Sequence, residues 1–393
     1  MIKSKYFPAI ILSLIYFFQL TIFFSSFFGI YQSYVISSMD YNLGSFIVFN
    51  LFYIFLFMFL IINKDIRILE PLKLRFVRIK CTSMIYILTL LGIFFLYMST
   101  SRILNQYSLI DIIKLGNSGR LRQFVNFDSG YTVQYVLLII SSVLSIIMFF
   151  ENKSKSALTK KYIYLKLKFF GIVIINSIAI FLFSTILMSR IIILQYMIVI
   201  IITVLSYMEI KSRYLITSFL LATAFLIITN GFRDFSYQGY LYTDSPIDWG
   251  IHRIVDYYLS TLNYSFYILT EPINLDFRSF FPLFNRLFMI ETSNITANVN
   301  VASIEYTNIG SIGYLYKKMG YFSVLYLFVF SLIINYSRRL FAEGKLLGLL
   351  IYPLMIYAIL ELPRIMFFPS LILSYYLIIC LVVASFVRID KKY

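Results

Sequence analysis

The chain has 393 residues, of which 60% are hydrophobic and 13% charged, with 34 Lys and Arg against 18 Asp and Glu for a formal net charge of +16; its mean hydropathy is +0.84. Soluble domains average about 45–50% apolar and about 25% charged residues, so this composition excludes an ordinary cytosolic enzyme, a disordered tail and a nucleic-acid-binding module. It is the composition of a membrane protein, and the basic excess is best read by the side of the bilayer each residue faces.

The N-terminus carries Lys3 and Lys5 and then no charge from Tyr6 to Met39. That run is too long for a signal-peptide core and has no small-x-small cleavage site, so it is expected to be an uncleaved first span. A bilayer core of about 30 Å needs about 20 apolar residues per helix. By that measure ten uncharged runs predict membrane helices: Tyr6 to Met39, Tyr41 to Asn63, Cys81 to Ser101, Ser129 to Phe150, Phe169 to Ser189, Ile191 to Met208, Tyr214 to Phe232, Met319 to Ser337, Leu346 to Leu360 and Ile365 to Val387. The ninth extends through Glu361 to Leu362 before Pro363 stops it. The expected fold is an all-α polytopic membrane protein of about ten spans, up to twelve at most. Residues 1–230 hold spans one to seven with a small outer segment at about 102–128, residues 231–310 form a large outer loop, and residues 311–393 hold spans eight to ten.

Alternating sides from an inner N-terminus places 22 of the 34 basic residues on inner segments and 12 on outer ones. The clusters from Lys64 to Lys80 and from Lys153 to Lys168 dominate the count, and they predict both termini in the cytoplasm. Such clusters also lie well against anionic lipid. Cys81 and Cys380 sit within apolar segments far apart in the chain, where they read as structural bulk.

The outer loop from Gly231 to Gly310 holds Arg233, Arg253, Arg278 and Arg286 against eight acids, with the sole His and Trp of the sequence. A structureless loop of that length is improbable, so short helices are expected. Ile251, Val255, Tyr258 and Leu262 recur at helical spacing and predict an apolar stripe lying on the membrane surface.

The basic residues also sort by type: 15 Lys and 7 Arg inside, 9 Arg and 3 Lys outside. Lysine is a hydrated point charge adequate for topology, whereas guanidinium grips phosphate or carboxylate through a planar fork and tolerates partial desolvation. The outer face is suited to an anion, although each loop arginine could instead pair with a loop acid. Arg190 and Arg364 interrupt apolar runs at the outer ends of helical hairpins, where an ionisable residue is costly and usually faces a bundle interior or a cavity; snorkelling to lipid phosphate is the alternative. Glu361 is either the partner of Arg364 or a catalytic carboxylate.

No Walker loop, dinucleotide fingerprint, HExxH, nucleophile elbow or Cys/His metal spacing is present in the sequence. No cofactor and no metal site is expected. A transfer reaction with a pyrophosphate leaving group suits an arginine-rich site, because a stable departing anion needs cations more than it needs a general acid. An acceptor hydroxyl benefits from a base. His252 is the first candidate, with Asp256 one helical turn later; Asp248 and Glu271 are alternatives in the same loop. The tyrosines and Trp249 of the loop suit either sugar faces or a membrane interface.

The layout resembles that of the Wzy-type O-antigen polymerases, the oligosaccharide repeat unit polymerases of bacterial inner membranes. The likeness rests on the span pattern with a large loop in the second half, on LMSRIIIL around Arg190, on YYLSTLNYSFYILTEP in the loop, on NVASIEYTNIGSIGYLYKKMG before the eighth span, and on LPRIMFFP around Arg364. The resemblance implies transfer of a glycan from undecaprenyl pyrophosphate onto a second lipid-linked repeat unit at the periplasmic face. It implies lipid-linked donor and acceptor, membrane lipid and a chain-length regulator as partners, and no nucleic acid. The expected anion clamp comprises Arg190, Arg233, Arg253, Arg278, Arg286 and Arg364, with His252, Asp256 or Glu361 as base. An O-antigen ligase or a lipid-linked oligosaccharide flippase are the competing readings.

Overall fold

The computed structural model describes residues 4–30, 42–65, 79–108, 110–112, 124–125, 131–151, 160–187, 190–208, 224, 227–228, 243–276, 278, 288, 310–363 and 370–388. Almost all of them are helical. The helices are α1 (Phe7–Phe27), α2 (Leu43–Ile62), α3 (Cys81–Gln106), α4 (Tyr131–Glu151), α5 (Lys160–Leu187), α6 (Arg190–Tyr207), α7 (Pro246–Thr270), α8 (Ser311–Met319), α9 (Ser323–Ala342), α10 (Leu346–Glu361) and α11 (Leu371–Phe386).

Among the described residues, six segments are long and apolar enough to cross a membrane: Phe7–Phe27, Leu43–Asp65, Cys81–Gln106, Val133–Glu151, Lys166–Leu187 and Ser311–Ala342. Three shorter apolar helices, Ile192–Tyr207, Leu346–Glu361 and Ile372–Phe386, match the sixth, ninth and tenth expected spans. The seventh expected span, Tyr214 to Phe232, falls mostly outside the described residues. These helices are those of a multi-pass membrane protein.

Local chemistry explains where several helices start. Asn42 closes a capping box with Ser45 at the head of α2, and the Ser370 hydroxyl accepts the Leu373 N–H at the head of α11; each satisfies backbone donors that a helix end leaves open. The chain leaves α10 at Glu361, next to Leu362 and Pro363, as the proline predicts. One expected boundary moves. The eighth span begins at Ser311 rather than Met319, and it is broken at Gly320, whose φ of 55° and ψ of −136° suit glycine alone.

α10 is apolar on all sides and buried from Gly348 to Ile359, which makes it the centre of the bundle. At 16 residues it is about 24 Å long, and other helices rather than lipid cover it. Around it, polar side chains join neighbouring helices. The Tyr53 hydroxyl donates to Gln19 Oε1 at 2.6 Å between α2 and α1, and Asn63 Nδ2 donates to Ser331 Oγ at 2.7 Å between the end of α2 and α9.

Several contacts join the segments that the charge pattern assigns to the inner side. Lys5 pairs with Asp65 at 3.6 Å, and Arg338 Nη2 donates to the Lys64 carbonyl at 2.7 Å. A two-residue strand β1 (Ile79–Lys80), just before α3, pairs in parallel with β2 (Val387–Arg388), just after α11. Cys81 and Cys380 are buried free thiols.

Candidate functional site

The site is built on α7, which the sequence places in the outer loop. Ser245 caps it through the Ile247 and Asp248 N–H groups, Pro246 pre-sets its first turn, and Asp248 puts a negative charge where the helix dipole is positive. At 25 residues it is a long helix rather than one of several short ones.

It also lies elsewhere than its apolar stripe suggests. Tyr258 meets Phe18 in the middle of α1 with ring centroids 5.3 Å apart. Phe266 meets Phe23 of α1 at 5.5 Å and Phe49 of α2 at 5.3 Å. α7 therefore packs along the helix bundle. Of the expected stripe, Leu262 is buried, Val255 and Tyr258 are half-buried and Ile251 is exposed.

A second stripe is the buried one. Trp249, Arg253, Asp256, Ser260 and Asn263 are spaced 4, 3, 4 and 3 residues apart, which keeps them on one face of the helix. Their exposures are 2%, 9%, 1%, 2% and 1%. The Arg253 guanidinium sits over the Trp249 ring, 5.7 Å from its centroid, where the ring's negative face favours a cation. Thr261 and Ser265, one turn apart and buried beside the stripe, widen the polar surface.

The far end of this surface meets α8 and α10. The Ser311 N–H donates to the Leu362 carbonyl at 3.1 Å. A Cβ on Gly310 would lie 2.6 Å from the Pro363 carbonyl and 2.8 Å from Ser265 Oγ, so only glycine allows the three segments to touch. Glu361, 6% exposed, sits at this junction. From Arg253 to the level of Thr261 and Ser265 is about 12–18 Å along the helix axis. The structure thus presents a buried track with a guanidinium and a carboxylate at one end, hydroxyls and an amide along it, and a second carboxylate at the other.

Beyond Thr270 the chain runs extended beside α8. The Asn274 and Asp276 N–H groups donate to the Lys317 and Lys318 carbonyls at 2.9 and 3.0 Å. Asp276 Oδ2 lies 3.6 Å from Lys318 Nζ, with side chains 4% and 1% exposed, while Arg278 Nε donates to Asp276 Oδ1 at 3.0 Å from an exposed position. Glu271 pairs with Lys317 at 3.8 Å.

The sequence-predicted residues separate accordingly. Arg253 and Asp256 share the buried stripe, whereas His252, half-buried, sits at its edge. Arg278 is exposed and engaged with Asp276, and Glu361 stands at the α10 end of the track. Arg190 opens α6, but its side chain is not among those described. Arg233, Arg286 and Arg364 lie outside the described residues. Sequence reasoning missed Ser260, Asn263 and the Lys318–Asp276 pair. The signal for the first two was the 4-3-4-3 polar spacing that interleaves with the apolar stripe. The ion pair had no local signal, since its partners are 42 positions apart in the sequence. Among the described residues, no cluster of His, Cys, Asp and Glu could hold a metal ion. No protein-family model matches the chain, and neither a curated protein nor a solved structure matches it.

Proposed function

We propose that the chain is a polymerase of lipid-linked oligosaccharides of the O-antigen type, acting at the periplasmic face of a bacterial inner membrane. The observation that carries this reading is the burial of Arg253 and Asp256 on one helical stripe that continues into hydroxyl and amide groups. Ionisable side chains inside an apolar bundle are costly and are retained mainly where they act. A run of hydroxyl and amide groups with a guanidinium at one end suits an oligosaccharide attached to a pyrophosphate.

In this mechanism the acceptor sugar hydroxyl attacks the anomeric carbon of the donor glycan. The C–O bond to pyrophosphate breaks, and undecaprenyl pyrophosphate departs with the bonding pair. Arg253 stabilises that departing charge in a water-poor setting, where a fixed cation acts most strongly. Asp256 takes the hydroxyl proton, with His252 as the alternative base; Glu361, at the other end of the track, binds the glycan instead. Arg190 and Arg364, which the sequence marks as interrupting apolar runs, are further candidates for holding the pyrophosphate.

The test is complementation of a deletion strain, read as a polysaccharide ladder on a gel. Arg253→Ala is expected to cut long-chain product by about 10²–10³-fold, the usual cost of removing one transition-state donor, whereas Arg278→Ala retains most of it. A full ladder from a stably expressed Arg253→Ala protein would refute the assignment. A ligase is distinguished by acceptor: its loss leaves no repeat on the lipid core, whereas loss of a polymerase leaves one.

A flippase for the same lipid-linked sugars is a second reading, favoured by the break of the Ser311–Ala342 helix at Gly320, since discontinuous helices are common at transport sites. Purified protein in detergent separates the two. A polymerase lengthens a synthetic pyrophosphate-linked repeat without any compartment, and a flippase leaves it unchanged.

A further inference from the structure

Helices α3, α4, α5 and α6 form a unit apart from the α7 track, and its interior is polar without being charged. Thr89 and Ser141 hydroxyls meet at 2.7 Å between α3 and α4. Asn176 Nδ2 donates to Ser142 Oγ at 3.1 Å between α5 and α4. The Tyr196 hydroxyl of α6 lies 3.3 Å from the same Ser142 oxygen and 2.8 Å from Ser177 Oγ. Ser99 donates to Gln134 Oε1 at 2.8 Å. Among the described residues of this unit, no buried side chain is ionised at neutral pH.

This network is incomplete. Gln134 Nε2, Asn176 Oδ1, and both Nε2 and Oε1 of Gln195 find no hydrogen-bond partner among the protein groups, although all three residues are 0% exposed. A buried amide left dry forfeits its full hydration, which is the costlier side of hydrogen-bond energetics. Each of these four atoms, in three side chains of one helical unit, calls for a partner that the packed helices do not supply. Gln134 and Ser142 are eight residues apart on one face of α4, about 12 Å along its axis, and the Leu138 carbonyl between them accepts weakly from Asn176 Nδ2 at 3.4 Å. The unit therefore offers a seam of donors and acceptors rather than one isolated amide. Its neutrality selects the occupant. Hydroxyls and amides without a carboxylate or an ammonium bind a small neutral hydroxylic molecule, and buried sites of this kind, with two to four polar partners, hold water.

We propose that the α3–α6 unit contains internal water, held by Gln134, Asn176 and Gln195 and bridging them to the Ser142–Tyr196 network. The site is independent of the proposed transfer reaction and of the α7 track. It makes this part of the bundle a hydrated element, whose polar side chains are satisfied only when the water is present.

Brief X-ray hydroxyl-radical labelling of the purified protein, read by mass spectrometry, tests it, because bound water generates the radical in place. Tyr196 is 7% exposed and faces the seam; Tyr376 is 0% exposed and its hydroxyl already donates to the Leu350 carbonyl at 3.2 Å. Tyr196 is expected to be modified and Tyr376 to remain unmodified. Equal silence of the two overturns the proposal, and this wild-type comparison stands whether or not any variant folds. In Gln195→Leu, displacement of water should lower Tyr196 labelling severalfold and reduce the thermal midpoint. A higher midpoint with unchanged labelling would show that the amide was dry and merely costly, and would also overturn it.

Discussion

Both α7 and the α3–α6 unit bury polar side chains among apolar helices, but they bury different kinds. In the α3–α6 unit the described interior polar residues are Ser, Thr, Asn, Gln and Tyr, joined by hydrogen bonds such as Thr89 to Ser141 and Asn176 to Ser142. Around α7 and the segment that follows it, Arg253, Asp256, Asp276, Lys318 and Glu361 are each less than a tenth exposed. Neutral groups hold membrane helices together at low cost and low gain. Charged groups in the same surroundings are expensive, and their concentration around α7 is what makes that region the candidate site.

Three substitutions probe that contrast. The largest effect is expected for Asp276→Asn, which strands the buried Lys318 ammonium. Breaking a buried pair by removing one partner costs about 3–5 kcal/mol, so the purified variant should unfold far earlier in a detergent denaturation series, or fail to accumulate. Replacing both partners, as in Asp276→Leu with Lys318→Met, should recover much of the loss, because the pair's desolvation is then removed too. If Asp276→Asn were neutral, the ion pair would not be buried as described, and the contrast between the two regions would weaken.

Gly320→Ala comes next. A Cβ there would lie 2.9 Å from Ile273 Cδ1, and the backbone has φ +55°. Strain of this kind costs about 1–3 kcal/mol, measured as a shift of the same unfolding transition. A variant as stable as the parent would mean that the break between α8 and α9 is not held in that conformation.

The smallest effect is expected in the neutral unit. Thr89→Val keeps the side-chain shape and removes one hydroxyl, while Ser141 still donates to the Ile85 carbonyl at 3.1 Å. The expected loss is about 0.6 kcal/mol, typical of an interhelical hydrogen bond in membranes. A cost comparable with that of Asp276→Asn would erase the distinction drawn between glue and site.

The apolar runs were legible because hydropathy and length report directly on the cost of placing backbone and side chains in lipid. Every expected span other than Tyr214 to Phe232 corresponds to a helix. The stop at Pro363 was equally readable, since proline's missing N–H acts locally. The Gly320 break was less so, because glycine at a helix interior and glycine at a break look alike in sequence, and Ile273 and the 271–276 segment constrain that position from outside its own helix.

The placement of α7 shows the same limit. Its helicity followed from the spacing of Ile251, Val255, Tyr258 and Leu262, but two stripes were available, that one and Trp249–Arg253–Asp256–Ser260–Asn263. Taken alone, an amphipathic helix turns its apolar face to lipid and its polar face to water. Once Phe18, Phe23, Phe46 and Phe49 of α1 and α2 supply aromatic partners for Tyr258 and Phe266, α7 joins the bundle and its polar stripe is buried instead.

Composition and periodicity were thus sufficient to determine that the chain is a multi-pass helical membrane protein and to point to the arginines and carboxylates between Gly231 and Gly310 as candidates for a site. Tertiary structure alone decided which of those residues are buried and which are solvated: Arg253 and Asp256 inside, Arg278 outside, and Lys318 paired with an aspartate far away in sequence. The reason is that hydropathy is a property of each segment, whereas the dielectric surroundings of a charge depend on the segments that fold against it.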